Sequence, residues 1–557
     1  MSRWEPILAG KSRTISKTLG FSFLMGTLLS VLYLWTTEIK PVAIGRFAIT
    51  SFFSDIAVSP KDRQKAASQL SEARAGVDGY GRVFLHAGLV LIFGTIGAYA
   101  LIAEGMGRQE KKIAKGEFIA GNCEVSYDEA IEEVAAKLKD PLTAYDYRHT
   151  PHDFKVKGYK ERKEFRFPRH AGAGHAMYLG ASGAGKSKLM YNILTQIRAG
   201  GSKAIIMDPG GIYYSRFGRR GDRIYSIYDK RAEYYDFWSE KGFDYFALSS
   251  SLIESKGGGK DPFFTESPQS LLAGLLRISE AQGMTELKKH IYSPDIEYLQ
   301  KALQENTEVS AQFLKDSRLA ANVMASYATK LYWLKYLNHW AVEDGRTEPR
   351  SISEWSRDDA DRSWVFLVAE NKDWEASKHF FRMLVTLAGK AVYGRGEYKG
   401  RTDIHEIQDE IESIGYNAEF SQKLNIGRKD GYVMHGGLQA VTQFEAIYGE
   451  KEANTIIQGF QNKFLFRSED PRLADRMAEN TGKGRWRVRD ENVSNEGKAS
   501  VSMKVEQRTA FRSEDFFALR PGECIAKITG INPFKFALPH KDYPVINQAT
   551  MSEIPPL

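Results

Sequence analysis

Charged and apolar positions divide the chain into a membrane-like N-terminal region and a longer α/β region. Residues 18–37 and 83–103 are uncharged over 20 and 21 positions, and a helix needs about 20 apolar residues to cross a bilayer. Beyond residue 115 the apolar residues recur with the periods of strands and helices, and one long stretch has the helical period alone. We therefore predict that residues 1–115 form a membrane anchor with an outer loop at 38–82. An α/β domain would follow in two segments, residues 116–262 and 341–557. Residues 263–340 would form an all-α domain inserted between these segments.

Basic residues flank both uncharged segments and predict the orientation of the anchor. Cytoplasmic flanks of spanning helices are enriched in Lys and Arg, so we expect both chain ends in the cytoplasm and residues 38–82 outside it. These flanking residues are Arg3, Lys11, Arg13 and Lys17 before the first segment and Arg108, Lys111, Lys112 and Lys115 after the second. A cleavable signal peptide is disfavoured because the first apolar run is long and a second one follows. Buried core helices are the other alternative.

Within the α/β region the pattern predicts a strand–loop–helix–strand unit. Short apolar strands are expected at His175–Leu179 and at Lys203–Asp208, with a helix over Lys188–Ala199 between them. This order is typical of a βαβ unit and therefore of a parallel sheet. An earlier helix is predicted over Glu124–Leu138, with Ser126 placed to cap it.

Composition excludes several classes of protein. Apolar residues make up 42% and charged residues 26% of the 557, which is typical of folded domains. The net charge of +7 is too small for a histone-like binder but is compatible with a local anionic partner. The two cysteines, Cys123 and Cys524, form no CxxC pair, so a disulfide scaffold and a zinc module are both excluded.

The strongest motif is a phosphate-binding loop between the first predicted strand and its helix. It satisfies G-x-x-x-x-G-K-[ST] with residues Gly180, Ala181, Ser182, Gly183, Ala184, Gly185, Lys186 and Ser187. Glycines let backbone N–H groups face phosphate oxygens, while Lys186 supplies a charge and Ser187 a ligand for Mg²⁺. A plain glycine-rich turn is the alternative, and the strand–loop–helix context argues against it.

Such a loop needs carboxylates for the metal and for the attacking water. Asp409 and Glu410 are the best candidates, the first to hold Mg²⁺ through water and the second to polarise the water. A central parallel strand should be almost entirely apolar, yet only Ile404 and Ile407 are apolar in the segment before the pair. The alternative is that this segment begins an acidic, solvated helix.

Two further polar residues have the spacing expected of a nucleotide site. Gln439 follows the apolar run Val433–Leu438 and would stand at a strand end, where it can report the γ-phosphate. Arg428 could reach the nucleotide of a neighbouring subunit as an arginine finger. Taken alone, each is an ordinary surface polar residue.

The order of these features resembles the type IV secretion coupling proteins, in particular the TraD/TrwB branch of bacterial conjugation. The order of the features is the same as in that family: two spans, a P-loop, a helical insertion, an Asp-Glu pair, an arginine 18 positions later and a glutamine. Shorter segments also look alike, namely Asp261–Phe263, Gln443–Lys451, Phe466–Ser468 and Glu506–Thr509. The likeness covers roughly residues 15 to 540.

The resemblance implies a fold and a function. The fold is α/β, with a P-loop RecA/FtsK-like motor domain around a parallel sheet, an all-α inserted domain and an N-terminal two-helix transmembrane anchor. The function is that of a hexameric bacterial inner-membrane ATPase using ATP and Mg²⁺, which passes a relaxase with its single-stranded DNA to a type IV secretion channel. The resemblance also implies roles for residues that match the family's motifs. Lys186 would be the phosphate lysine, and Ser187 and Asp409 would be the Mg²⁺ ligands. Glu410, Arg428 and Gln439 would be catalytic.

The chain departs from the family in two places. The segment before Asp409 is more polar than in the family, which puts the hydrolysis rate in question. Ile212 stands where the family often has a glutamate. The polar segment keeps open a docking platform that binds nucleotide with little turnover. A coupling protein dedicated to protein effectors would share every motor residue. A chromosome translocase of the FtsK/HerA type is a third alternative, although it usually carries more spans or a DNA-reading C-terminal module, and neither is evident in this sequence.

A basic and aromatic segment, Lys483–Arg489, is the only local hint of a DNA contact. Alternating basic residues around Trp486 could grip phosphates and stack on a base. An exposed hairpin strand with Trp486 packed inward is an equally good interpretation.

Overall fold

A computed structural model describes most of the chain beyond the predicted anchor: residues 117–139, 155–159, 161, 163–167, 174–253, 263–293, 295–306, 317–397, 400–493 and 499–555. The two predicted membrane segments, 18–37 and 83–103, lie outside these residues. Within the described part, no helix combines the length and the apolar character needed to cross a bilayer. Among the described residues, 117–119, 485–493 and 499–506 belong to one compact unit, and those between 120 and 484 and between 507 and 555 belong to another.

The described residues contain fourteen strands. In chain order, β1 to β14 are Glu117–Gly121, Lys155–Val156, Phe165–Arg166, Ala176–Leu179, Lys203–Pro209, Arg223–Tyr225, Val365–Ala369, Ile404–Gln408, Tyr432–Leu438, Asn462–Phe466, Lys483–Val493, Ala499–Thr509, Glu523–Lys527 and Phe534–Ala537. Nine of them form one sheet in the order β14-β13-β10-β4-β9-β8-β5-β7-β6. From β10 to β6 neighbouring strands are parallel, while β13 and β14 add an antiparallel edge.

Helices cover the sheet and fill the segment between β6 and β7. Numbered in chain order, α1 to α16 are Tyr127–Lys139, Lys186–Ala199, Ile212–Phe217, Tyr245–Leu252, Phe263–Ser279, Met284–Ile291, Ile296–Asn306, Ser317–Leu331, His339–Glu343, Ile352–Arg357, Trp374–Lys390, Phe420–Ile426, Val441–Tyr448, Glu450–Gly459, Pro471–Asn480 and Ser513–Phe517. The predicted βαβ unit is confirmed as β4, α2 and β5. The predicted cap of α1 is also confirmed, because Ser126 Oγ accepts the N–H of Glu129.

The sheet has a hydrophobic core on each face, because successive residues of a strand point to opposite sides. Along β5, Ile205 and Met207 belong to one core, whereas Ala204 and Ile206 belong to the other. The described helices between Phe263 and Leu331 pack into the first of these cores. Parallel strands buried on both faces need near-continuous apolar sequence, as β7 has.

The polar segment before Asp409 is a buried strand and not a solvated helix start. It forms β8, which lies between β9 and β5, and the interpretation as an acidic helix is wrong. Each polar side chain of β8 has a partner: Glu406 pairs with Lys423, His405 Nδ1 lies 3.0 Å from His435 Nε2, and the amide of Gln408 donates to Glu406. Partners of this kind lower the cost of burying polar groups, although Gln408 Oε1 is buried without a partner among the described residues.

The basic segment Lys483–Arg489 lies in β11, within a three-stranded sheet of order β1-β11-β12. Arg485 and Arg487 are exposed, while Trp486 is half-buried and meets the edge of Phe118 with ring centroids 5.2 Å apart. The segment is therefore a strand of this sheet, with Trp486 packed against Phe118 and the side chains of Arg485 and Arg487 exposed.

Candidate functional site

The predicted site residues other than Arg428 meet at the carboxyl ends of the parallel strands. Parallel strands end at the same edge, and ligands of open α/β sheets bind beyond those carboxyl ends. Here β4 leads into the glycine loop at Gly180, β8 into Asp409, β9 into Gln439, and β5 ends beside Asp208. The strand order therefore gathers residues that are far apart in the sequence.

The loop after β4 has a backbone that favours glycine. Gly183 and Gly185 have φ values of +72° and +116°, which side-chain-bearing residues rarely adopt. Helix α2 begins directly after Gly185, with no side chain capping its start and no acidic residue in its first turn. Its first N–H groups and the positive end of its dipole are thus available to an anion.

Lys186 is folded back onto the loop that precedes it. Its Nζ donates to the carbonyl oxygens of Gly180 at 2.7 Å and Ala181 at 3.0 Å, and the residue is 5% exposed. Burial lowers the pKa of Lys186, and the neighbouring carboxylates Asp409, Glu412 and Glu410 oppose that shift. The ammonium group therefore lies beside the loop, where it can exchange carbonyl oxygens for phosphate oxygens.

Asp409 connects the glycine loop to β8. Its Oδ2 accepts hydrogen bonds from Ser187 Oγ at 2.6 Å and from the hydroxyl of Tyr213 at 2.9 Å. Its Oδ1 is buried and has no hydrogen-bond partner among the described residues. Hydrated Mg²⁺ prefers such oxygen donors, so a free carboxylate oxygen beside a serine hydroxyl and a glycine loop fits Mg²⁺ held with a nucleotide.

Glu410 and Gln439 face each other across the ends of β8 and β9. The side-chain amide of Gln439 donates to Glu410 Oε1. Together with Glu412, Lys378 and Gln443 they line an open cavity of about 490 Å³. The pair can therefore reach solvent and a ligand at the sheet edge.

Glu412 is a further acid at this edge that the sequence pattern did not single out. Burial raises its pKa to about 7, and its Oε1 accepts the backbone N–H of Gln439 at 3.4 Å. Glu412 therefore adds a second carboxyl group beside Glu410 to the lining of the cavity.

Gly437 allows β8 and β9 to end close together. A side chain at this position would place its Cβ 2.0 Å from the carbonyl oxygen of Asp409. The approach of the two strand ends, and with it the Glu410–Gln439 contact, depends on glycine here.

Arg428 lies at the amino end of β9, whereas the glycine loop lies at the carboxyl ends of the strands. It is half-buried in the short 3₁₀ turn Gly427–Asp430 before β9, whereas Gln439 follows β9. The seven residues of β9, at about 3.3 Å each, place the two ends of this strand about 20 Å apart. Within one chain the structure does not bring Arg428 to the other site residues.

Two buried residues at the site, Tyr213 and Asp208, and one buried partner of β8, Lys423, escaped the sequence pattern. Tyr213 follows the turn at Gly210 and Gly211 after β5, and this pair of glycines was a usable signal. Asp208 accepts the N–H groups of Tyr213 at 2.9 Å and Tyr214 at 2.7 Å, and burial raises its pKa to about 7. Lys423 had no signal, since its ion pair with Glu406 joins positions 17 apart.

Comparison with known protein families decides where this arrangement belongs. Residues 164–528, well over half of the chain, match the model of the type IV secretion-system coupling protein DNA-binding domain. The chain belongs to the type IV coupling protein family. The match spans the loop after β4, the Asp-Glu pair and Gln439, so the candidate site lies wholly inside the matched region.

Relatives of this coupling protein support the assignment. The coupling protein TraD of Escherichia coli (strain K12) is 25% identical over 384 residues, which are 66% of this chain and 53% of TraD. The chain thus spans about half the length of the curated relative that it matches.

Solved structures show the same fold. The bacterial conjugative coupling protein TrwBdeltaN70, in its unbound form, superposes with a TM-score of 0.65 and 20% identity, covering 79% of this chain and all of that structure. TrwB in complex with ADP and Mg²⁺ superposes with a TM-score of 0.63 and 19% identity, covering 78% of this chain and 98% of that one.

Proposed function

We propose that this chain is a membrane-anchored, homo-hexameric, Mg²⁺-dependent ATPase of the bacterial inner membrane. It recruits a relaxase with its single-stranded DNA and drives both into a type IV secretion channel. The observation that carries the proposal is the contact between Ser187 and Asp409, with Glu410 and Gln439 beside it, in a chain of the coupling-protein family. The TrwB complex with ADP and Mg²⁺ supports ATP and Mg²⁺ as the ligands.

Each residue of the site has one task in this proposal. Backbone N–H groups of residues 180–187 and the Lys186 ammonium hold phosphate oxygens. Ser187 and Asp409 hold Mg²⁺, Asp409 through water, and bound Mg²⁺ neutralises phosphate charge during transfer. Glu410 accepts a proton from the attacking water at its carboxylate.

Gln439 and Arg428 connect hydrolysis to the rest of the ring. The side chain of Gln439 fixes the Glu410 carboxylate through its amide and reports whether a γ-phosphate is present. Arg428 lies too far away to act on its own subunit's loop, so it acts on the nucleotide of a neighbour, as arginine fingers do in other ATPases. That task requires a neighbouring subunit, which the proposed hexamer supplies.

The DNA assignment rests on the family and on exposed charge. The family model describes a DNA-binding domain, and Arg485 and Arg487 are exposed on β11. Basic side chains bind phosphates without reading sequence. A coupling protein dedicated to protein effectors would use the same motor residues, so only the substrate separates the two functions.

Plasmid transfer between mating cells tests this proposal. With Lys186→Ala we expect transfer to fall to background, whereas Lys188→Ala, which removes an exposed lysine of the same helix, should leave it unchanged. Unaltered transfer with Lys186→Ala would contradict the proposal. Export of protein effectors without any DNA transfer by the natural chain would favour the protein-dedicated alternative.

A further inference from the structure

Tyr213 is a buried tyrosine whose hydroxyl reaches the candidate metal ligand. Its oxygen lies 2.9 Å from Asp409 Oδ2, and the residue is only 3% exposed. The hydroxyl donates this hydrogen bond, because an ionised carboxylate can only accept.

The surroundings of Tyr213 fix the hydroxyl in this position. Asp208, itself fully buried, accepts the Tyr213 N–H at 2.9 Å and so anchors the start of α3. The ring meets the edge of Tyr191, with centroids 5.3 Å apart, and the hydroxyl also lies 3.5 Å from Met190 Sδ, a weak acceptor. Both the backbone and the ring are thus held before any ligand binds.

The two oxygens of Asp409 have unequal surroundings. Oδ2 accepts from both Ser187 and Tyr213, whereas Oδ1 is buried without a partner among the described residues. A buried carboxylate oxygen with no partner is costly, and occupancy by a water of a hydrated cation would remove that cost. Ser187 can donate to Oδ2 while its own lone pairs remain available to the cation.

We propose that Tyr213 is a positioning residue for Mg²⁺. By holding Oδ2 it fixes the Asp409 carboxylate so that Oδ1 is the oxygen left for the hydrated ion. This inference rests on the proposed nucleotide site and adds to it a residue outside the P-loop and the acidic pair. Mutation of a side chain that hydrogen-bonds a metal ligand typically lowers metal affinity by about 10- to 100-fold.

The test is equilibrium binding of ADP to the full-length chain, with excess Mg²⁺ and with EDTA. The dissociation constant in EDTA divided by that in Mg²⁺ measures how strongly Mg²⁺ increases the affinity for ADP. With Tyr213→Phe, which keeps the ring, we expect this ratio to fall about tenfold while the affinity in EDTA stays unchanged. Tyr191→Phe removes a neighbouring hydroxyl that has no bond to Asp409 and should keep the original ratio.

A double variant distinguishes positioning from a general structural role. If Tyr213 acts through Asp409, then Tyr213→Phe should lower the ratio no further in an Asp409→Asn background. Asp208→Asn, which loosens the start of α3, is a second variant and should lower the ratio in the same direction.

Two results would overturn the inference: an unchanged ratio with Tyr213→Phe, or an equal loss of affinity in EDTA and in Mg²⁺. Failure of the proposed function looks different, because the unsubstituted chain would then bind no ADP, or would bind it equally well after Lys186→Ala.

Discussion

Ser187 Oγ lies 2.6 Å from Asp409 Oδ2, although 222 positions separate the two residues in the sequence. The order β4-β9-β8 explains the contact, since it places the ends of the two strands at one edge with only β9 between them. A glycine loop and an acidic pair that looked like separate motifs therefore form one site.

Removal of the Ser187 hydroxyl should impair hydrolysis more than nucleotide binding. With Ser187→Ala we expect ATP turnover to fall about 10- to 100-fold, since a metal ligand and a bond to Asp409 are lost together. ADP binding in EDTA should stay the same. Thr195→Ala, which removes an exposed hydroxyl of the same helix, serves as the control, and equal turnover in the two variants would contradict the assignment of Ser187 as a ligand.

The buried ion pair Glu406–Lys423 should stabilise the central strand only while both charges are present. Both side chains are fully buried, with Nζ 3.0 and 2.8 Å from the carboxylate oxygens. Lys423→Met leaves a buried charge without its partner and should lower the free energy of unfolding by about 3–5 kcal/mol.

Urea unfolding measures this loss. Adding Glu406→Gln to Lys423→Met should recover at least half of it, because glutamine is neutral and still accepts from the Tyr432 hydroxyl, which lies 2.7 Å from Glu406 Oε2. A double variant no more stable than Lys423→Met alone would show that the pair does not act as a unit.

Acid should destabilise the protein through His175. This histidine is fully buried, its Nδ1 accepts the N–H of Met434 at 2.9 Å, and burial lowers its pKa to about 4 from an ordinary 6.5. A base with a lowered native pKa contributes its stability at pH above 6.5 and loses it as the pH falls toward 4. The loss between pH 7 and pH 5 is about 2 kcal/mol.

Urea unfolding at pH 7 and pH 5 checks this pH dependence. With His175→Gln the fall in the free energy of unfolding should be smaller by about that amount, while the partly exposed His339→Gln should keep the original fall. An unchanged fall in His175→Gln would mean that other groups account for the acid sensitivity.

Arg428 should act between subunits and not within one. Subunits with Arg428→Ala keep an intact loop, and subunits with Lys186→Ala keep the arginine, so each should be inactive alone. In rings assembled from equal amounts of both, about a quarter of the interfaces combine the two intact parts. Recovery of ATPase activity on mixing supports action in trans, and mixed rings that stay inactive would count against it.

Much of the fold followed from the sequence because apolar runs and glycine turns mark a βαβ unit directly. The antiparallel edge of β13 and β14 did not, since short buried strands and helix segments look alike in pattern. The polar strand β8 was the hardest case. Its hydrophilic residues are paired with Lys423, His435 and other partners from distant segments, and such pairs have no local signature.

The candidate site was predictable where one motif carries its own chemistry. The loop ending at Lys186 and Ser187 and the pair Asp409 and Glu410 were found because spacing and residue type suffice. Tyr213 and Glu412 were not, because their importance comes from a buried position beside a carboxylate. The place of Arg428 at the far edge of the sheet likewise depends on the strand direction and not on its spacing from Glu410.

The central claim is that this chain couples ATP hydrolysis to DNA, and the most direct measurement is its ATPase rate. The full-length chain in detergent would be assayed with and without single-stranded DNA, beside Lys186→Ala and Glu410→Gln. We predict turnover that DNA stimulates and that both substitutions abolish. Nucleotide binding without turnover at every DNA and protein concentration would contradict the motor and leave a docking platform.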